Sequence, residues 1–373
     1  MSVLTKKTML VFICLLAVQT VRGNYLASNT SIDCPQPCKC EFGSTNSTEA
    51  TCSGKQLKSF PWKLPATTTI LDLSDNHLEE LPSDLLANLG NLQELRLNKN
   101  KLKDLPPTLF ERNPHLKILQ LINNNLVNLP SGLFSNLGNL TELVLWDNTI
   151  KSLPQKIFHH LTGLEELDLD GNRLVTLQPR IFDTLANLER LWLNGNQLKE
   201  LPPKIFDKLT RLHLLDLSDL EAIVSKGRLV LGQIPKVAVC VFEKKSDNFS
   251  NIRGLDGNQL KELPPKVFDE LPQLHYLGLD GNQLKELPPK VFDELPQLHY
   301  LGLDGNQLKE LPPKVFDELP QLHYLFLGNN QLKELPPKVF DELTQLQILD
   351  VNDNELHTLQ EGIFDNLTNL TGL

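Results

Sequence analysis

The amino-acid sequence predicts an α/β solenoid: a curved horseshoe with a parallel β-sheet on the concave face and an irregular convex side. Two observations predict it. A leucine pattern recurs every 24 residues through most of the 373-residue chain, and such a period overrides any domain count taken from length. Within each period one short segment alternates apolar and polar residues with period two, the pattern of a half-buried strand. At 40% hydrophobic and 22% charged residues, the chain is too apolar for disorder and too polar for a membrane bundle.

The first segment reads as an address. Lys6 and Lys7 precede an apolar run from Met9 to Val18, and Val21-Arg22-Gly23 offers small residues for cleavage. That combination predicts a secretory signal peptide over 1–23, the run being too short to span a bilayer. Cys14 would leave with it. Secretion makes disulfides expected. It also makes the Asn-X-Ser/Thr sites at Asn29, Asn46, Asn139, Asn248, Asn366 and Asn369 usable for glycosylation.

Residues 24–67 hold Cys34, Cys38, Cys40 and Cys52 as C-x3-C-x-C-x11-C, directly before the first repeat. A solenoid needs a lid over its terminal core, and a small disulfide-bonded cap supplies one; zinc binding is the rival use of four cysteines. Repeats fill 68–218 and 254–373. In Leu274–Gln297 (LHYLGLDGNQLKELPPKVFDELPQ) leucine stands at positions 1, 4, 6, 11 and 14, Asn at 9 and Phe at 19. The same frame opens at Leu92, Leu116, Leu140, Leu164, Leu188, Leu212, Leu298, Leu322 and Leu346, with a first repeat at Thr68 and another near Ser250. Leu277 and Leu279 point to the core, and Tyr276, Gly278 and Asp280 away from it. The regular Asn column predicts buried amides bonded to the backbone of adjacent turns. The Phe column predicts an outer core layer, where neighbouring Pro pairs favour tight turns over long helices.

Cap and repeats together resemble the leucine-rich repeat family in its 24-residue extracellular form. By that resemblance the cap pairs Cys34–Cys40 and Cys38–Cys52, one of three possible connectivities. The chain is similar to secreted members such as serum leucine-rich glycoprotein, the beta-type phospholipase A2 inhibitor of snake serum, the large carrier subunit of carboxypeptidase N and variable lymphocyte receptors. Relatives usually close with a second cysteine cluster. Here no cysteine follows Cys240, which suggests truncation, an atypical end, a partner over the last core, or glycans shielding it.

Between 219 and 253 the leucine frame disappears and the chain turns locally basic. This reads as an insertion, or as an artefact of the encoded sequence. Its odd Cys240 offers an intermolecular disulfide, so that Cys240 or the uncapped C-terminus could join protomers.

No phosphate loop, H-E-x-x-H or G-x-S-x-G is present, so the sequence predicts no enzyme, catalytic residue or cofactor. His159 and His160 read as solvated surface. His275, His299 and His323 recur at one position and predict a ladder; a pH-sensitive surface is favoured there over a bound metal. The outward strand positions are mostly acidic, with Glu142, Asp147, Glu166, Asp168, Asp170, Asp216, Asp280, Asp304 and Asp350 against few cations such as Arg190. Trp146, Trp192, Tyr276, Tyr300, Tyr324 and Phe326 share those positions, where no core is expected to claim them. Aromatic anchors in an acidic field predict a groove for a basic protein, and the field argues against nucleic acid or membrane insertion. The resemblance implies either a plasma inhibitor of a basic enzyme such as phospholipase A2, an immune or adhesion receptor, or a peptidase's carrier subunit.

Overall fold

The computed structural model describes residues 34–43, 47–60, 64–218 and 258–373. The expected leader 1–23, the insertion 219–253, the opening at Ser250, Cys240 and the sequons Asn29, Asn46 and Asn248 lie outside the described residues.

The described strands form one sheet in chain order. A hairpin of β1 (Lys39–Phe42) and β2 (Thr48–Thr51) opens it, antiparallel. Every later pairing is parallel: β3 (Thr68–Asp72), β4 (Glu94–Arg96), β5 (Ile118–Gln120), β6 (Glu142–Val144), β7 (Glu166–Asp168), β8 (Arg190–Trp192), β9 (Leu214–Asp216), β10 (Tyr276–Gly278), β11 (Tyr300–Gly302), β12 (Tyr324–Phe326) and β13 (Ile348–Asp350). Cys34–Cys40 and Cys38–Cys52 are both bonded, so the pairing implied by the cap is the one observed. Among the described residues no element is helical, because each convex return is a tight turn. After the Pro pair, Lys266, Lys290 and Lys314 take left-handed φ of 61–63°, which a helix would not allow.

The leucines of all the turns merge into one continuous core. Burying each is worth about 1.5–3 kcal/mol, but only if its neighbours are present to cover it. The Asn column seals the strand exits. Asn196, fully buried, accepts the Leu174 N–H on Oδ1 (3.0 Å) and donates to the carbonyls of Leu169 and Leu193 (3.0 Å each). One amide thus ties two successive turns. On the convex side the Phe rings stack at 6.2–6.5 Å, whereas Tyr276 and Tyr300 on the sheet are 4.4 Å apart. Wider spacing outside than inside bends the stack into an arc.

One junction is built differently from a simple restart of the repeat. β10 pairs directly with β9, Tyr276 opposite Leu214. Asn258 donates to the carbonyls of Leu193 and Leu217 (2.9 and 3.0 Å), filling the Asn position of the turn that Leu212 opens. Its partner Leu193 is 65 residues away, and Leu217 is likewise 65 residues from Asn282, where uninterrupted rungs span 27. Residues 212–218 and 258–273 therefore complete a single turn.

Candidate protein-binding face

The concave face is built from positions 3, 5 and 7 of each repeat. At position 5 the carboxylates serve the local backbone. Asp72, Asp168, Asp216 and Asp350 each accept the N–H two residues on, from Ser74, Asp170, Ser218 and Asn352, at 2.8–3.0 Å. Such Asx turns hold the strand exit. Much of the acidic field thus does structural duty, and Asp168, Asp170, Asp216, Asp280 and Glu166 are buried.

Cations of the protein neutralise part of the remainder. Arg190 holds Glu166 at 2.8 Å and approaches Glu189 at 3.8 Å. Arg96 holds Glu94 at 2.5 Å. Glu142 accepts from Gln120 (2.9 Å) and Asp147 from Asn123 (2.5 Å). Burial raises the Asp147 carboxyl, partly offset by that Asn123 bond. Burial also pushes Asp280 well up, against the bond from the Asp304 N–H, with Asp304 and Asp216 adding to the rise.

The expectation that the rings stand clear of any core is corrected. Trp146, Trp192 and Tyr276 are buried, and Trp192, Leu214 and Tyr276 form a second apolar cluster with Tyr300 against it. The cause is curvature, which crowds outward side chains of successive rungs. Burial, with Asp216 and Asp280 alongside, raises the Tyr276 and Tyr300 hydroxyls well above the usual phenol value. The rings that stay accessible are on β11 and β12: Tyr300, Tyr324 and Phe326 are half-buried, as are Asp304 and Asp350 near them and Glu142, Asp147 and Arg190 farther along the sheet. Tyr300 and Phe326 lie 5.3 Å apart, and the Tyr324 hydroxyl meets Gln347 Oε1 at 3.4 Å.

Asn139, Asn366 and Asn369 are exposed, with the Asn139 and Asn369 amides donating to the carbonyls of Pro114 and Thr344 (2.8 and 2.7 Å). The histidine ladder exists, and sequence reading missed one member: the His213 ring lies 5.3 Å from that of His275, tilted by 38°, across the interrupted turn. A 24-residue ruler cannot reach across the interruption. Among the described residues no group of three or more His, Cys, Asp or Glu is placed to hold a metal, and no helix is long and apolar enough to cross a membrane.

Known proteins agree with this architecture. The leucine rich repeat model matches residues 66–121, 114–174, 162–219, 254–308 and 303–356, and the leucine rich repeat N-terminal domain matches 33–65. Leucine-rich repeat-containing G-protein coupled receptor 5 of Xenopus tropicalis is 40% identical over 85 residues, which are 23% of this chain and 9% of the receptor. Podocan of Mus musculus is 35% identical over 83 residues, 22% of this chain and 13% of podocan. The chain thus spans only a small part of the curated relatives it matches. Among solved structures, a Leptospira interrogans LRR protein superposes with TM-score 0.59 and 34% identity, covering 85% of this chain and 75% of its own. The octameric complex of Latrophilin 3, Unc5D and FLRT2 gives 0.63 and 25%, covering 86% and 84%. The Drosophila Toll–Spatzle complex gives 0.66 and 26%, covering 83% and 37%.

Proposed function

The chain belongs to the leucine-rich repeat family, and on that premise we propose that it is a secreted, non-enzymatic binding protein whose concave face grips a basic protein. The observation that carries this reading is the accessible patch on β11–β13, where Tyr300, Tyr324 and Phe326 stand beside Asp304 and Asp350, all half-buried. Half-buried rings make low-entropy anchors, and carboxylates beside them favour Lys or Arg of a partner. The disulfide-bonded cap suits an oxidising compartment. Within this reading, inhibition of a basic secreted enzyme such as a phospholipase A2 is the specific role proposed. The buried carboxylates Asp168, Asp170, Asp216 and Asp280 set the background potential rather than touch the partner.

A second reading, receptor-type or adhesion-type recognition, is favoured by the similarity to repeats found in the complexes of FLRT2 with Unc5D and Latrophilin 3 and of Toll with Spatzle. The two readings divide on the partner's identity. Immobilised protein is exposed to plasma or secretions, and bound proteins are identified and assayed. A basic enzyme that loses activity selects the inhibitor. A cell-surface ectodomain selects recognition. In both, the double variant Asp304→Asn, Asp350→Asn should weaken binding about tenfold, and added salt should weaken it further. Affinity indifferent to both would overturn the electrostatic account.

A further inference from the structure

Along one border of this face runs a column that the binding reading does not use. His213, His275, His299 and His323 occupy the position just before the outward strand residue, and their rings follow one another at 5.3, 5.1 and 5.1 Å. The column has a fixed pitch, because each of His275, His299 and His323 donates its backbone N–H to the carbonyl of the preceding histidine at 2.8–2.9 Å. It adjoins the tyrosine column: His323 and Tyr324 rings are 6.3 Å apart.

We propose that this imidazole column is an acid-operated release device for the adjoining concave face. The inference rests on the reading that the face holds a cationic partner. Four imidazoles at this spacing cannot all charge without mutual repulsion. Burial, then the neighbouring His275, lowers both His213 and His299; Glu189 opposes this at His213, and the Gln297 carbonyl opposes it at His299. The charged groups facing the column are few. Glu189, Arg211 and Arg190 surround His213, with Glu189 engaged by Arg211 at 3.1 Å. Tyr324 flanks His323, whose Nδ1 lies 2.6 Å from the Gln321 carbonyl. Gln347 occupies the next rung. Burial and the crowding of neighbouring rings thus oppose charging of His213 and His299. As pH falls into the range where imidazoles take up protons the column gains charge, beside the tyrosine column, whose Tyr324 ring lies 6.3 Å from that of His323. A cationic partner is then repelled.

The test uses the full-length, disulfide-intact protein and an acetylated, fluorescent hexalysine peptide, whose charge is constant between pH 7.4 and 5.5. Wild type should lose at least tenfold in affinity over that interval. The double variant His275→Gln, His299→Gln should lose no more than about threefold, because its carboxylates titrate as before while the two central rungs of its column cannot charge. Gln already fills the same position at Gln93 and Gln347, so the fold accommodates it. Equal losses in both proteins would assign the acid effect to carboxylates and overturn the device. Absence of peptide binding at pH 7.4 would defeat the cationic-partner reading and the device with it. Imidazole NMR titration is a second check that needs no ligand: four overlapping, independent curves would also overturn the coupling.

Discussion

Asp280 and Asp304 are coupled through one hydrogen bond and one deficit. Asp280 Oδ1 accepts the Asp304 backbone N–H at 2.9 Å, while Asp280 Oδ2 is buried without a partner. A buried charged oxygen left unsatisfied costs about 1–3 kcal/mol or more. Asp280→Asn keeps an acceptor for the Asp304 N–H and removes the charge, so it should stabilise the protein by about 1–3 kcal/mol at pH 7. The sign follows from the raised Asp280 carboxyl. The folded state holds that proton more tightly than the unfolded chain, so the penalty grows as pH rises above the unfolded carboxyl value and disappears below it. Thermal melting of both proteins from pH 7 down to 4 checks it: the advantage should shrink with acid, and a constant gap would refute the charge argument.

The same carboxylate occupies the space beside Gly302. A Cβ built there would collide with the Asp280 carboxylate, a short side chain in a packed site with little room to give. Gly302→Ala alone should destabilise by about 1–3 kcal/mol through overpacking. Adding Asp280→Ala should recover part of that loss, giving a coupling energy of about 0.5–3 kcal/mol in a double-mutant cycle by urea denaturation. Strict additivity would show that the two sites do not share the slot.

Rungs in the middle of the stack should depend on their Asn more than the last rung does. Asn196→Ala would orphan the buried Leu174 N–H and the carbonyls of Leu169 and Leu193. Asn354 makes equivalent bonds to Leu332, Leu327 and Val351 but is only part-buried, so water can replace it. Denaturation should show a loss of about 2–4 kcal/mol for Asn196→Ala and about 1 kcal/mol for Asn354→Ala.

How far the sequence could be read follows from these residues. Asn196 and the Phe rings were legible because burial and hydrogen bonding impose one residue type at one repeat position. The columns of Asp and Tyr were legible as columns, yet their exposure was not. Period two states only that Asp168 and Trp192 leave the leucine core; it says nothing of how tightly an arc packs neighbouring rungs over them. The Asx turns at Asp168 and Asp216 carried a readable signal, Asp two residues before a turn. It was masked by the same residues' charge. Arg190 at its outward position could have been matched to Glu166, one period earlier in the frame, as a cross-strand pair.

The interrupted turn yields the last prediction. Ser218 and Asn258 occupy adjoining places in one rung: Ser218 closes the Asp216 turn at 3.0 Å, and the Asn258 amide binds Leu217 and Leu193. Uninterrupted rungs join these places through one residue with left-handed φ, as Gly195 does between Asn194 and Asn196 and Gly281 between Asp280 and Asn282. Deleting residues 219–256 would leave Ser218-Gly257-Asn258, with glycine where the left-handed conformation is needed. The β9–β10 register, the Phe206–Phe268 stack at 6.5 Å and the His213–His275 contact already span the junction at ordinary spacing. The shortened protein should therefore retain the same far-ultraviolet circular dichroism per described residue and a single cooperative melt within a few degrees of the parent. A second transition, or a melting point lowered by ten degrees or more, would show that the described rungs do not close the turn by themselves.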